Sequence, residues 1–149
     1  MTGAAVSDPV ETETPDLEIT LPARAENVAV VRHAVGGLGE VLEVDDQTLS
    51  DIKLAVTEAC TNVVVHAYPE VEGPMGLRAS IDDRRLSLVV LDRGRGIVPR
   101  PDSPGLGLGL PLIATLAESL ELGTGAGEET EVRMTFALGA PLAGLEGAA

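Results

Sequence analysis

The chain has 149 residues, 44% of them hydrophobic, and a formal net charge of −14. That length fits one domain, and the apolar content excludes a disordered chain. With one Tyr, one Phe and no Trp, it offers almost no platform for stacking bases, and its charge repels a phosphate backbone; both argue against direct binding of nucleic acid.

The single cysteine, Cys60, excludes an internal disulfide and suits a reducing compartment. No stretch approaches the ~18 apolar residues of a membrane span. Residues 1–16 carry Asp8, Glu11, Glu13 and Asp16 and no apolar run, unlike a signal peptide. A cytoplasmic protein with no membrane contact is expected, its acidic surface suited to a basic protein partner.

Residues 1–15 read as a flexible tail, and the Gly/Ala-rich residues 139–149 as another. The folded domain is expected over 16–138. Leu17, Ile19 and Leu21 alternate with polar residues and predict a strand that Pro22 ends. Val28, Val31, Val35, Leu38 and Leu42 recur at helical steps. They predict a helix over about 23–42, weakened by Gly36, Gly37 and Gly39. A second helix is expected from Asp46 to about Ala67, burying Leu49, Ile52, Val56, Ala59, Cys60 and Val63, with Pro69 as its stop. Leu77, Ala79 and Ile81 predict a strand, Asp82 to Arg85 a turn, and Leu86 to Leu91 a central strand. A Gly/Pro-rich loop over 92–109 leads into a helix over about 110–120, and Val132, Met134 and Phe136 mark a last strand. The order β-α-α-β-β-loop-α-β predicts the α/β class: a two-layer α/β sandwich, a mixed sheet with helices on one face.

Three groups of residues carry chemistry. Glu58, Asn62 and His66 recur every four residues and share one helix ridge. A carboxylate there can accept a proton or orient a nucleophile. A carboxamide oxygen can ligate a hard cation such as Mg²⁺. The same spacing also fits a plain polar helix edge, and His66 fits a ligand or a structural cap. Asp92, Gly94 and Gly96 follow the apolar strand. An acid there can accept from an exocyclic amine, and the glycines admit a flat base close to the backbone; a tight turn is the plainer alternative. Gly105-Leu106-Gly107-Leu108-Gly109 opens a helix, where free N–H groups favour phosphate. No Gly-Lys-Ser/Thr follows, so it is no Walker loop.

Taken together, Glu-x-x-x-Asn at 58–62, Asp-x-Gly-x-Gly at 92–96, the Gly-x-Gly run at 105–109 and Thr130 in a late strand resemble the ATP-binding domain of the gyrase, histidine-kinase and mismatch-repair ATPase superfamily. The stretch from Leu54 to Asn62, then His66-Ala67-Tyr68, the opening Leu-Pro-Ala-Arg at 21–24 and Thr130 to Met134 are most similar to the small anti-sigma-factor serine kinases. The resemblance covers about 17–138. It implies a Bergerat-type ATP-binding fold and an ATP-dependent protein serine kinase that binds a sigma factor and phosphorylates an anti-anti-sigma antagonist. It further implies Glu58 as general base, Asn62 as Mg²⁺ ligand, Asp92 on the adenine amine, and Gly94 and Gly96 beside the base. Residues Gly105, Leu106, Gly107, Leu108 and Gly109 would wrap the phosphates, and Thr130 would support the adenine pocket. His66 is carried with the nucleotide-binding set. A homodimer through residues 17–42 is implied as well. The chain departs from the pattern at Glu129, where the family has Gly before Thr, and in its short 97–104 loop, whose one cation is Arg100. The alternative functions are a nucleotide-gated binding module with little catalysis and a switch kinase of another signalling complex. A histidine kinase is disfavoured, since no room remains for a dimerising helix pair with a phospho-acceptor His.

Overall fold

The structure, a computed structural model, describes residues 14–94 and 104–141; the side chains of residues 104–108 and 126 lie outside that description. The elements run β1 (Leu17–Pro22), α1 (Ala25–Val41), α2 (Asp46–Asn62), β2 (Pro74–Asp82), β3 (Arg85–Asp92), α3 (Pro104–Leu116), β4 (Ser119–Thr124) and β5 (Thr130–Ala137). The sheet order is β1-β2-β3-β5-β4.

The helices form as their apolar spacing dictates. Helix α1 buries Val28, Val31, Val35 and Gly39. Asp45 caps α2, accepting the Thr48 N–H at 2.8 Å, which satisfies one of the unpaired donors of the first turn. Helix α2 buries Ile52, Ala55, Val56, Ala59 and Cys60. The glycine that lowers the helix propensity of α1 also sets how close the two helices pack: a Cβ at Gly39 would lie 2.4 Å from Leu49 Cδ1. The expected single helix to Ala67 is divided. After Asn62 it widens into a π-helical turn, Val63–Ala67, and Tyr68 leaves helical geometry ahead of Pro69, as a residue before proline favours.

The sheet alternates as a half-covered sheet must. Leu77, Ala79, Leu86, Leu88, Val90, Val132, Met134 and Phe136 share one core with Val35, Val56, Cys60 and Ile113 of the helices. The other face carries Glu18, Arg78, Arg133 and Glu121 in cross-strand register around Val89. The β2–β3 hairpin turns on Asp83 and Arg84, both left-handed (φ 53° and 57°), the backbone of a two-residue type I′ loop. The Arg84 guanidinium donates to the Leu42 carbonyl at the end of α1 and to the Gly139 carbonyl, at 2.7 and 2.6 Å.

Three expectations change in detail. Helix α3 starts at Pro104 rather than near 110, so the glycines at 105–109 stand inside its first turns; Pro104 loses nothing there, because the first helical N–H has no partner anyway. Helix α3 stops at Leu116, and residues 119–124 form the edge strand β4, which the helical reading to Leu120 concealed. The two-layer α/β sandwich is present, but all four pairings among the described residues are antiparallel. The β3–α3–β4 crossover would leave a parallel pair, and β5 inserts between those two strands, pairing antiparallel with both.

Candidate functional site

The ends of α2, β3 and β5 and the first turns of α3 meet at one end of the helix-covered face. Asp92, the last residue of β3, lies directly opposite Thr130, the first of β5. Both continue the inward set of Val90 and Val132. Gly94 is pressed against the π-turn of α2: a Cβ there would lie 2.1 Å from the Ala67 carbonyl oxygen. Gly109 of α3 faces Asn62 as closely, at 2.8 Å from Nδ2 to its would-be Cβ. At Gly94 the obstacle is backbone, so only glycine permits that approach; at Gly109 a methyl would push the end of the Asn62 side chain from its place.

Asp92 is the one buried charged side chain among the described residues, 5% exposed. Its Oδ1 accepts the Gly94 N–H at 2.9 Å. No cation pairs with it among the described residues. Burial raises its pKa above the ordinary aspartate value, and the Gly94 N–H acts against that shift. Among the described residues no donor meets the second carboxylate oxygen, which leaves it open to a ligand. A ligand amine would supply the missing donor.

Asn62, at the C-terminal end of α2, is half-buried, and its Nδ2 is buried with no hydrogen-bond partner. The nitrogen and oxygen of an amide are interchangeable in assignment, so the same position can present a carboxamide oxygen. An unpaired amide held against glycine backbone is a donor set that fits a hard cation beside phosphates. Glu58 stands one turn earlier on α2, half-buried, and His66 sits half-buried in the π-turn. Such wide turns are frequent at functional sites. Of the expected site residues, Gly96 lies outside the described residues. Gly105, Leu106, Gly107 and Leu108 are placed as helical backbone only.

Tyr68 was not among the expected site residues. Its phenol donates to the Pro74 carbonyl and accepts the Arg93 N–H at 2.7 Å. The ring lies over Gly73, where a Cβ would come within 2.2 Å of Cε1. Burial raises the phenol pKa, and the Arg93 N–H opposes this. One side chain thus ties the end of α2, the start of β2 and the segment after Asp92. The signal in the sequence was its solitude, one tyrosine just before the proline that ends the helix.

An ATP-binding protein is the class that this geometry fits, and comparison with known proteins agrees. The chain belongs to the family of the histidine kinase-like ATPase domain, which matches residues 21–136. It is 40% identical over 121 residues to the serine-protein kinase RsbW of Halalkalibacterium halodurans, covering 71% of this chain and 74% of that relative. It is 30% identical over 134 residues to the anti-sigma F factor of Caldanaerobacter subterraneus subsp. tengcongensis, covering 83% and 94%. Among solved structures, the RsbU and RsbW domains of Rv1364c from Mycobacterium tuberculosis superpose with a TM-score of 0.68 at 27% identity. That match covers 86% of this chain and 34% of the other, so this chain spans about a third of it. A chain of the SiaB-SiaC complex from Pseudomonas aeruginosa shares the fold, with a TM-score of 0.56 at 12% identity. The chain is accordingly a serine-protein kinase of the anti-sigma type that uses ATP.

Proposed function

We propose that this kinase holds a sigma factor and phosphorylates a serine on an antagonist protein, with Asp92 and Asn62 defining the nucleotide site and Glu58 the transfer. The observation that carries the reading is the buried Asp92 opposite Thr130, with no cation paired to it among the described residues. An acid so placed can accept from a ligand, and the exocyclic amine of adenine is a fitting donor. Thr130 adds a hydroxyl beside it. The N–H groups of the first turn of α3 face no helical partner and favour the phosphates of ATP. Asn62 would hold Mg²⁺, which supplies neutralisation of phosphate charge. Glu58 orients the serine hydroxyl and accepts its proton. Phosphoryl transfer asks the protein mainly for positioning and charge compensation, and these residues fit those tasks. His66 lies on the same ridge and contributes to the nucleotide set.

The folded domain is taken as residues 16–138. Asp16 N donates to the Ala79 carbonyl at 2.7 Å and Leu138 N to the Arg84 carbonyl at 2.9 Å, which supports those limits. A homodimer through residues 17–42 fits the sheet edge at β1, which pairs on one side only among the described residues. Among the described residues no helix is long and apolar enough to cross a membrane, and a cytoplasmic site of action is in keeping with a sigma factor and its antagonist as partners.

A thermal-shift titration tests the nucleotide reading. ATP with Mg²⁺ should raise the melting temperature by mass action on the native state, and GTP should raise it far less, because guanine presents no amine at the position Asp92 reads. Equal shifts would remove Asp92 from its role. Light scattering on the same samples should give the dimer mass; a monomer with and without ATP would contradict the dimer.

A further inference from the structure

We infer that the Arg93–Glu129 ion pair is a positioning clasp for the adenine end of the site, an inference that rests on the nucleotide reading above. The last backbone pair of the β3–β5 ladder is Asp92 with Thr130. Ladder ends fray, and here fraying would part the two side chains that meet the base. Arg93 and Glu129 are the residues one step beyond that pair, one on each strand. Arg93 Nη2 lies 3.2 Å from Glu129 Oε2, with Glu129 largely covered (16% exposed) and Arg93 open to solvent (58%).

The guanidinium also lies over the left-handed Gly127 of the β4–β5 connection, 3.6 Å from where a Cβ would stand. Its backbone N–H is already fixed by the Tyr68 phenol. Arg93 is therefore held at both ends, by the main chain to α2 and by the side chain to the start of β5. Neither side chain meets the nucleotide; both act through Asp92 and Thr130, and they are positioning residues.

The test is a double-mutant cycle in the full chain: Arg93→Gln, Glu129→Gln, both together, and the exchange Arg93→Glu with Glu129→Arg. Each single change should weaken ATP·Mg²⁺ binding roughly two- to fivefold, the range of a partly exposed ion pair. The double change should be no worse than either single one, because the two act as a unit. The KM for ATP should rise in the same proportion with kcat retained, and the exchanged pair should recover part of the loss. Raising salt should weaken ATP binding more in the unaltered chain than in the double variant, since an exposed pair is screened. Singles that bind ATP like the unaltered chain, effects that simply add, or a lowered melting temperature with unchanged affinity would each overturn the clasp while leaving the nucleotide reading intact. An unaltered chain that binds no adenine nucleotide would overturn that reading, and the clasp with it.

Discussion

Asp92 sets function against stability. Its carboxylate is buried, accepts one backbone N–H and has no cation among the described residues. Its folded pKa is raised above the unfolded value, so between those two values the folded chain binds more protons than the unfolded one. Stability therefore falls as pH rises through that window, and above it the cost of the buried charge is fully present. Asp92→Asn removes that cost, and its amide oxygen still accepts the Gly94 N–H. The variant should melt at or above the temperature of the unaltered chain in the absence of nucleotide. It should also lose the ATP-induced shift, since an amide NH₂ opposes the adenine amine. Calorimetry with and without ATP checks both halves; a lower melting point with the ATP shift preserved would contradict the account. The sequence placed Asp92 in an Asp-x-Gly-x-Gly run after an apolar strand, which alone fits a tight turn as well, and its role came from the resemblance of the combined motifs. It did not single out Tyr68, whose contribution depends on where Pro74 and Arg93 come to rest in space.

At the scale of elements, the glycines of α1 show what periodicity can and cannot tell. All three weaken the helix by propensity, yet they differ in what surrounds them. Gly37 has nothing within 4 Å of a would-be Cβ, whereas Gly39 faces Leu49 at 2.4 Å. Gly37→Ala should stabilise the chain by about 0.5–1 kcal/mol, the propensity gain of an open helix site. Gly39→Ala should show no such gain and destabilise the chain by about 1 kcal/mol, because the methyl forces the end of the Leu49 side chain out of its packing. Denaturant melts of the two variants check the signs, and equal effects would refute the packing described. The same contrast explains what the sequence concealed. Strands β1, β2, β3 and β5 and helices α1 and α2 follow from apolar periods of two and of three to four. Helix α3 begins in a Gly/Pro-rich stretch whose propensity argues for a loop, and only its packing against α2 makes it helical from Pro104. Strand β4 is short and mostly exposed, and its first residues, to Leu120, fall within the helix expected over 110–120.

For the whole molecule, three motifs far apart in the sequence form one site because of two registers. One pairs Asp92 with Thr130; the other seats Gly94 under Ala67 and Gly109 on Asn62. The motif order was readable, but the convergence was not, since the antiparallel insertion of β5 between β3 and β4 leaves no local signature. The central claim is that this site transfers phosphate to a protein serine, with Glu58 serving the transfer and not the binding. The most direct measurement compares Glu58→Gln with the unaltered chain for two quantities: ATP affinity, and the rate of phosphate transfer to the antagonist protein co-purified from the native cell. The glutamine keeps the shape of the side chain and cannot accept the proton. Transfer should fall by roughly 10²–10⁴-fold, the usual contribution of a positioned base, with ATP affinity held near its original value. Transfer at the unaltered rate, or a loss confined to ATP affinity, would contradict it.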